Sequence, residues 1–138
     1  MAGYVGCQSV RPYGEYDSVH KPVVQDRILE SLGAEAVPFP SKIRCCGSGI
    51  FLPEMDYCLD LVKRILEDAL THGAQLVSTV CPMCSMNLEM YQDRINERYG
   101  TDLDVPIVYL TQLMAAAFGM DLKKDAALGY NFIPPEGI

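Results

Sequence analysis

The sequence predicts an α/β fold with a mostly parallel sheet of about four strands and helices on both faces. Short apolar runs alternate along the chain with longer segments whose apolar residues recur every three to four positions. Proline and glycine residues bound most of these segments. Alternating strands and helices form parallel sheets because each helix carries the chain back across one face of the sheet. A Rossmann-like arrangement is therefore expected.

The first half of the chain contains two predicted strands and two predicted helices. Residues 3–6 form a short strand that ends at Cys7, and a polar loop follows over residues 11–20. A helix begins at Pro22 and ends before Gly33. Its expected buried face consists of Val23, Val24, Ile28 and Leu32. Residues 36–39 form a short strand that prolines at positions 38 and 40 stop. A second amphipathic helix runs from about residue 53 to residue 72. Its apolar positions follow the helical period and are Cys58, Leu59, Val62, Ile65, Leu66 and Ala69.

The second half repeats this alternation. Residues 76–80 form a buried strand, and a third helix runs from Pro82 to about Tyr99, with Gly100 after it. Residues 107–110 form the last strand, and Thr111 caps a short helix that ends at Gly119. The tail over residues 129–138 is expected to be extended.

Five of the six cysteines form a motif. Cys7 is separated by 37 residues from the adjacent pair Cys45-Cys46, which Gly47 follows. A further 34 residues lead to Cys81 and Cys84, which form a CxxC sequence. Such a set is typical of a thiolate-ligated metal or iron–sulfur centre. Because Cys7 and Cys81 each follow a predicted strand, we expect one site at the carboxyl ends of the strands.

The number and spacing of these thiols constrain the centre. Cys81 and Cys84 lie at a helix start, where the helix dipole favours thiolates. Cys45 and Cys46 are too close along the backbone to chelate one ion easily, but they can bind two metal atoms of a cluster. Five thiolates exceed the four of a tetrahedral zinc site and the one per iron of a cubane cluster. An iron–sulfur cluster of unusual shape is therefore expected.

Two alternatives remain open at this point. Four of the five thiolates could bind a structural zinc ion, which would make the chain a binding or assembly module. Cys81 and Cys84 could also act as a metal-free dithiol in thiol–disulfide exchange. The sixth cysteine, Cys58, lies on the inward face of the second helix and is expected to be a small hydrophobic core residue.

Composition narrows the classes of function. The 138 residues suit one domain, and they include 11 basic and 18 acidic residues, which give a net charge of −7. A net negative charge argues against a nucleic-acid partner. No apolar run reaches the length of a membrane span, and no secretory signal is evident. A reducing, cytoplasmic location is the expectation, and there clustered cysteines indicate metal or redox chemistry.

The motif resembles the cysteine-rich CCG domain found in the B subunit of heterodisulfide reductases and in related proteins. The resemblance rests on Tyr4-Val5-Gly6-Cys7-Gln8 with Arg11-Pro12, on Cys45-Cys46-Gly47-Ser48-Gly49, and on Cys81-Pro82-Met83-Cys84 with Asn87-Leu88. It covers nearly the whole chain and is greatest with the second, carboxyl-terminal copy of that domain. Residues 1–138 are thus expected to form a single CCG domain, either the carboxyl-terminal half of a two-domain protein or a one-domain relative.

The resemblance implies a function. It implies a non-cubane 4Fe-4S cluster bound by Cys7, Cys45, Cys46, Cys81 and Cys84. It also implies an oxidoreductase in which electrons from partner iron–sulfur subunits reduce a small disulfide at the cluster. Substrate would lie between the clusters of two CCG domains, so a second CCG domain is an expected partner. The chain alone is then expected to be inactive.

Overall fold

A computed structural model describes residues 1–7, 9–11 and 17–138. The strands there are β1 (Ala2–Tyr4), β2 (Val77–Thr79) and β3 (Ile107–Tyr109). The helices are α1 (Val24–Ser31), α2 (Met55–Thr71), α3 (Pro82–Met90), α4 (Gln92–Tyr99) and α5 (Leu110–Ala117). Two 3₁₀ turns cover Pro40–Ile43 and Leu128–Tyr130. Residues 12–16 of the predicted polar loop lie outside the described part.

The three described strands form one parallel sheet in the order β1-β2-β3. Tyr4 of β1 pairs with Thr79 of β2, which pairs with Tyr109 of β3. The carboxyl ends of all three strands therefore lie at the same edge of the sheet. The α/β class and the parallel sheet are confirmed.

Helices cover both faces of the sheet. Successive side chains of a strand point to opposite faces. On one face, Ala2, Val77 and Ile107 belong to the larger core, which includes the buried side of α2 and residues from α3 and α4. On the other face, Val108 belongs to a second core with Leu29 of α1 and other residues from α1 and α5. The prediction of helices on both faces is thus confirmed.

The predicted strand over residues 36–39 is wrong, so the described part has three strands rather than four. The N-terminal ammonium of Met1 donates to Glu35 O at 2.7 Å, and Val37 N donates to Met1 O at 2.8 Å. These two bonds are the pattern of a single parallel bridge beside β1. Pro38 and Pro40 lack the N–H groups that would extend it. The Rossmann-like assignment stays a prediction.

The third predicted helix consists of two helices, α3 and α4, which meet at Tyr91. The buried Gln92 side chain donates from Nε2 to Leu88 O at 2.9 Å and to Val105 O at 2.8 Å. Leu88 O is the carbonyl that the Gln92 backbone N–H would otherwise reach in a continuous helix. The Gln92 side chain thus enters the series of backbone hydrogen bonds that would join the two helices, and such an insertion breaks a helix.

The buried faces of the first two helices differ in how well the sequence predicts them. In α2 the expected apolar positions are all buried, with Val62 and Ile65 fully so. In α1 the buried residues are Gln25 and Leu29, whereas Val23 and Val24 are exposed. Asp17 accepts the backbone N–H groups of Val23 and Val24 and so holds the start of α1 two residues later than Pro22.

Candidate metal centre

Cys7, Cys81 and Cys84 reach the carboxyl edge of the sheet from two neighbouring strands. Cys7 follows β1 after a turn in which Gly6 has a φ of +72°. Cys81 comes two residues after β2 and directly precedes α3. Pro82 occupies the first turn of α3, and Cys84 lies in the same turn. This confirms the expected placement at the carboxyl ends of the strands.

The segment with Cys45 and Cys46 is tied to the same edge. It follows the 3₁₀ turn Pro40–Ile43, in which the carbonyl of Lys42 accepts the Gly6 N–H at 2.9 Å. This bond fixes the turn beside the segment that leads to Cys7. The CC-Gly loop, defined here as residues 45–49, therefore lies next to the other motif cysteines.

The five thiols meet as neighbouring pairs. The sulfurs of Cys46 and Cys84 lie 3.6 Å apart. Cys45 lies close enough to Cys7 to influence its ionisation, and Cys81 does the same to Cys84. Among the described residues, which include all five cysteines, no three such side chains converge tightly enough to hold a single metal ion.

The contact between Cys46 and Cys84 separates their acidities. The hydrogen bond between Cys46 and Cys84 lowers the pKa of Cys46 to about 6, although burial opposes this shift. The same bond, with burial, raises the pKa of Cys84. Burial and then the charge of Cys45 raise the pKa of Cys7. The contact thus favours the thiolate form of Cys46, which is the form that binds a metal.

Two glycines leave space beside these sulfurs. A Cβ atom at Gly6 would lie 3.3 Å from Cys84 Sγ. Gly47 has a φ of +82°, and a Cβ atom there would lie 3.0 Å from Cys58 Sγ and 3.3 Å from Cys58 Cα. Glycine adopts such backbone angles without strain. Five neighbouring thiols with glycines beside them fit a group ligated by several thiolates.

Replacing Gly47 with alanine should destabilise the fold by about 1–3 kcal/mol, because a non-glycine residue is strained at this φ and its Cβ would press on α2. Denaturant unfolding would measure the change. Gly49→Ala is the matched control, since a Cβ there meets nothing within 4 Å and its φ is not positive. Equal stability of Gly47→Ala and the wild type would contradict the strain argument.

Tyr4 lies beneath the cysteines. Its side chain is fully buried, and its hydroxyl donates to Arg44 O at 2.6 Å. Burial raises the pKa of Tyr4, and the neighbouring charges of Cys84 and Cys46 add to this effect. The ring therefore closes the site from below and fixes the backbone directly before Cys45.

Basic residues border the thiols on one side. A cleft of about 600 Å³ is lined by Cys7 and Cys45 together with Arg11 and Arg44. Lys42, another basic residue near the cysteine segments, is buried and forms an ion pair with Asp26. The two arginines give this cleft a positive character within an acidic chain.

Two residues outside the motif contact it, and sequence reasoning missed both contacts. Cys58 is fully buried as expected, but its sulfur also lies 3.4 Å from Cys46 O. Burial and the nearby Cys46 raise the pKa of Cys58 to about 11, so it remains a thiol. Asn87 is buried behind Cys46. The sequence gives two signals for Asn87: it is among the residues on which the resemblance rests, and it stands three residues after Cys84, on the same face of α3.

Comparison with known proteins relates this chain to one domain family and to several proteins described as reductase subunits or as similar to them. The CCG cysteine-rich domain family matches residues 1–89. The 8-methylmenaquinol:fumarate reductase membrane anchor subunit of Wolinella succinogenes is 31% identical over 135 residues, which are 96% of this chain and 47% of that protein. The B subunit of the ferredoxin:CoB-CoM heterodisulfide reductase of Methanosarcina mazei is 28% identical over 142 residues, which are 96% of this chain and 47% of that protein. A protein of Archaeoglobus profundus described as like the heterodisulfide reductase B subunit is 30% identical over 131 residues, which are 89% of this chain and 43% of that protein.

The chain spans about half the length of these curated relatives. Among the described residues, no helix combines the length and the apolar character needed to cross a membrane. The family match covers more than half of the chain and includes all five motif cysteines. The chain therefore belongs to the cysteine-rich CCG domain family.

Proposed function

We propose that the chain is the cluster-binding module of a heterodisulfide reductase-like oxidoreductase. In this proposal Cys7, Cys45, Cys46, Cys81 and Cys84 bind a non-cubane 4Fe-4S cluster. The observation that carries it is the meeting of all five thiols at one edge of the sheet, as neighbouring pairs. The family and its relatives among the reductases support the same class of chemistry.

The directions of the adjacent thiols support a cluster with several metal atoms. Cys46 Sγ lies 3.6 Å from Cys84 Sγ. Cys45 Sγ instead accepts the Gly47 N–H at 3.3 Å and lies beside Cys7. Neighbouring residues with diverging sulfurs are suited to different metal atoms.

The two alternatives receive less support. A single zinc ion takes four ligands at roughly 2.3 Å from one point, so it would leave one of the five neighbouring thiols without a role. Thiol–disulfide exchange by Cys81 and Cys84 would use two of the five neighbouring thiols and would leave Cys7, Cys45 and Cys46 without a role.

The residues of this chain would have distinct roles around the cluster. Bound iron–sulfur clusters supply one-electron chemistry and iron sites for sulfur ligands. The low pKa of Cys46 provides a thiolate ligand at neutral pH. Tyr4 keeps water from the buried side. Arg11 and Arg44 would attract an anionic disulfide to the cleft beside Cys7 and Cys45.

The domain would act within a larger assembly. Since its relatives are about twice as long, a second CCG domain, in the same polypeptide or another, would complete the substrate site. This chain would correspond to the second of the two copies. Iron–sulfur subunits would supply the electrons, and a small disulfide would accept them. A reducing cytoplasmic compartment would suit such a centre.

Anaerobic reconstitution with iron and sulfide tests the proposal. We expect a coloured protein with iron and inorganic sulfide in near-equal amounts, because five cysteine thiols meet at one site. Metal analysis, sulfide analysis and electron paramagnetic resonance of the reduced protein would establish the stoichiometry and the cluster type.

Zinc supplied in a parallel sample provides the comparison. A protein that stays colourless with iron and sulfide but takes up one zinc ion would overturn the cluster proposal and establish the zinc alternative. A cubane spectrum would retain the iron–sulfur function but overturn the cluster type.

A further inference from the structure

A buried amide on α3 reaches the CC-Gly loop from behind. Asn87 has no exposed surface. Its Nδ2 donates to Cys46 O at 3.2 Å and lies 3.9 Å from Cys46 Sγ and 3.4 Å from Cys58 Sγ. One amide group therefore contacts both the carbonyl and the sulfur of a motif cysteine.

The other end of this amide has no partner. Oδ1 of Asn87 is buried without a hydrogen bond among the described residues. An unpaired buried acceptor is unfavourable, and such groups in a folded protein need an explanation. An apolar side chain of similar size would avoid this penalty. The donor end has the partners that explain the presence of an amide here, and these are Cys46 and the sulfur of Cys58.

Cys58 approaches the same carbonyl from α2. Its sulfur lies 3.4 Å from Cys46 O, and its Cα and Sγ lie close to the position that a Cβ of Gly47 would occupy. Two helices thus hold the Cys46 peptide, through Asn87 on one and Cys58 on the other. With its carbonyl held behind, Cys46 points its sulfur towards Cys84.

We propose that Asn87 is a positioning residue that orients the Cys46 sulfur toward the cluster and donates an N–H to it. This inference rests on the proposed cluster function. A hydrogen bond to a ligand sulfur withdraws electron density from it and favours the reduced cluster. Asn87 would therefore raise the reduction potential of the centre as well as fix its geometry.

Asn87→Leu tests this role, because leucine has a similar size but no donor. We expect the reduction equilibrium of the reconstituted cluster to shift about tenfold towards the oxidised form, which is ~59 mV for one electron. Redox titration followed by electron paramagnetic resonance would measure the shift. In the metal-free protein, amide exchange over residues 46–50 should become faster, because the Cys46 peptide loses a restraint.

Asn96→Leu is the matched control. Asn96 is also a hydrogen-bonded helical asparagine, but its partners are Leu103 and Thr101, and it contacts none of the thiols. Its replacement should lower stability and leave both the potential and the exchange of residues 46–50 unchanged. Where the leucine variant does not fold, Asn87→Ala removes the same donor without adding bulk.

The outcomes separate this inference from the proposed function. Wild-type protein that takes up no iron and sulfide would overturn the proposed function and this inference with it. Wild-type protein that loads, beside a folded Asn87→Leu variant with unchanged potential and unchanged exchange, would overturn only the role of Asn87. A folded variant with a lowered potential, or with lost loading and faster exchange, would support it.

Discussion

Replacement of any one motif cysteine by serine should remove most of the iron and sulfide from reconstituted protein. The five variants are Cys7→Ser, Cys45→Ser, Cys46→Ser, Cys81→Ser and Cys84→Ser. Loss of a ligand should exceed the roughly 10–100-fold weakening that outer contacts of a metal site typically cause. Iron and sulfide per chain and visible absorbance, after removal of unbound metal without oxygen, would measure the effect.

Cys58→Ser is the control that the chain itself provides. Cys58 is as buried as Cys46, but it lies on α2 among the apolar residues Val62 and Ile65. The serine hydroxyl can still donate towards Cys46 O, so the CC-Gly loop keeps its support. We expect full loading and, because the hydroxyl keeps this acceptor, a loss of stability below the roughly 1–3 kcal/mol that an unpaired buried hydroxyl costs. Lost loading in a folded Cys58→Ser variant would show that the ligand set is wrong.

The sequence predicts best where a structure depends on local periodicity. The apolar stripe of α2 is buried as expected because one face of a long helix must pack on the sheet. The motif cysteines are predicted to share one edge because parallel strands end together, and the structure places them there. Both inferences need only neighbouring residues and a rule of topology.

Contacts between residues that lie far apart in the sequence cannot be predicted by such local reasoning. The break at Tyr91 depends on Gln92, whose amide bonds Val105 in a different segment. The start of α1 depends on Asp17, which lies seven residues before Val24. The support of Cys46 by Asn87 joins residues 41 positions apart. No local pattern marks these partners.

The carboxyl-terminal tail packs on its own domain. Asn131 Nδ2 donates to Ile107 O at 2.6 Å, and Ile133 N donates to Glu89 Oε1 at 3.2 Å. Tyr130 and Phe132 nevertheless remain 86% and 68% exposed. The prediction of an extended tail is wrong at its start, where Leu128–Tyr130 forms a 3₁₀ turn.

Exposed apolar residues also flank the cysteine motifs. Leu52 follows the CC-Gly loop and is 82% exposed, and Val80 and Met83 on either side of Cys81 are exposed as well. Tyr57 lines the cleft with Cys7. Apolar residues that gather around a site with a charged rim are typical of an interaction surface. On the proposed function, a second CCG domain would cover them.

The isolated chain, even with its cluster loaded, should therefore show no steady reduction of a small disulfide. The proposed substrate site needs two CCG domains, and this sequence carries a single cysteine motif. Thiol release from the CoB-CoM heterodisulfide, with a reduced viologen as electron donor, would measure turnover. The ferredoxin:CoB-CoM heterodisulfide reductase of Methanosarcina mazei, whose B subunit this chain is similar to, is the positive control for the assay.

On the proposed function, adding the part of the Methanosarcina mazei B subunit that this chain does not match, as a separate polypeptide, should restore disulfide binding, because that part would supply the opposite wall of the site and cover the exposed residues around the thiols. A variant with Leu52 and Met83 replaced by serine should bind that added polypeptide more weakly while its iron content stays unchanged, since neither residue is a ligand.

Steady turnover of roughly 1 s⁻¹ or more by the isolated loaded chain would contradict the two-domain requirement, because such a rate is that of an ordinary complete enzyme. One cysteine motif would then be sufficient for the whole reaction, and the apolar surface around the thiols would need an occupant other than a second CCG domain.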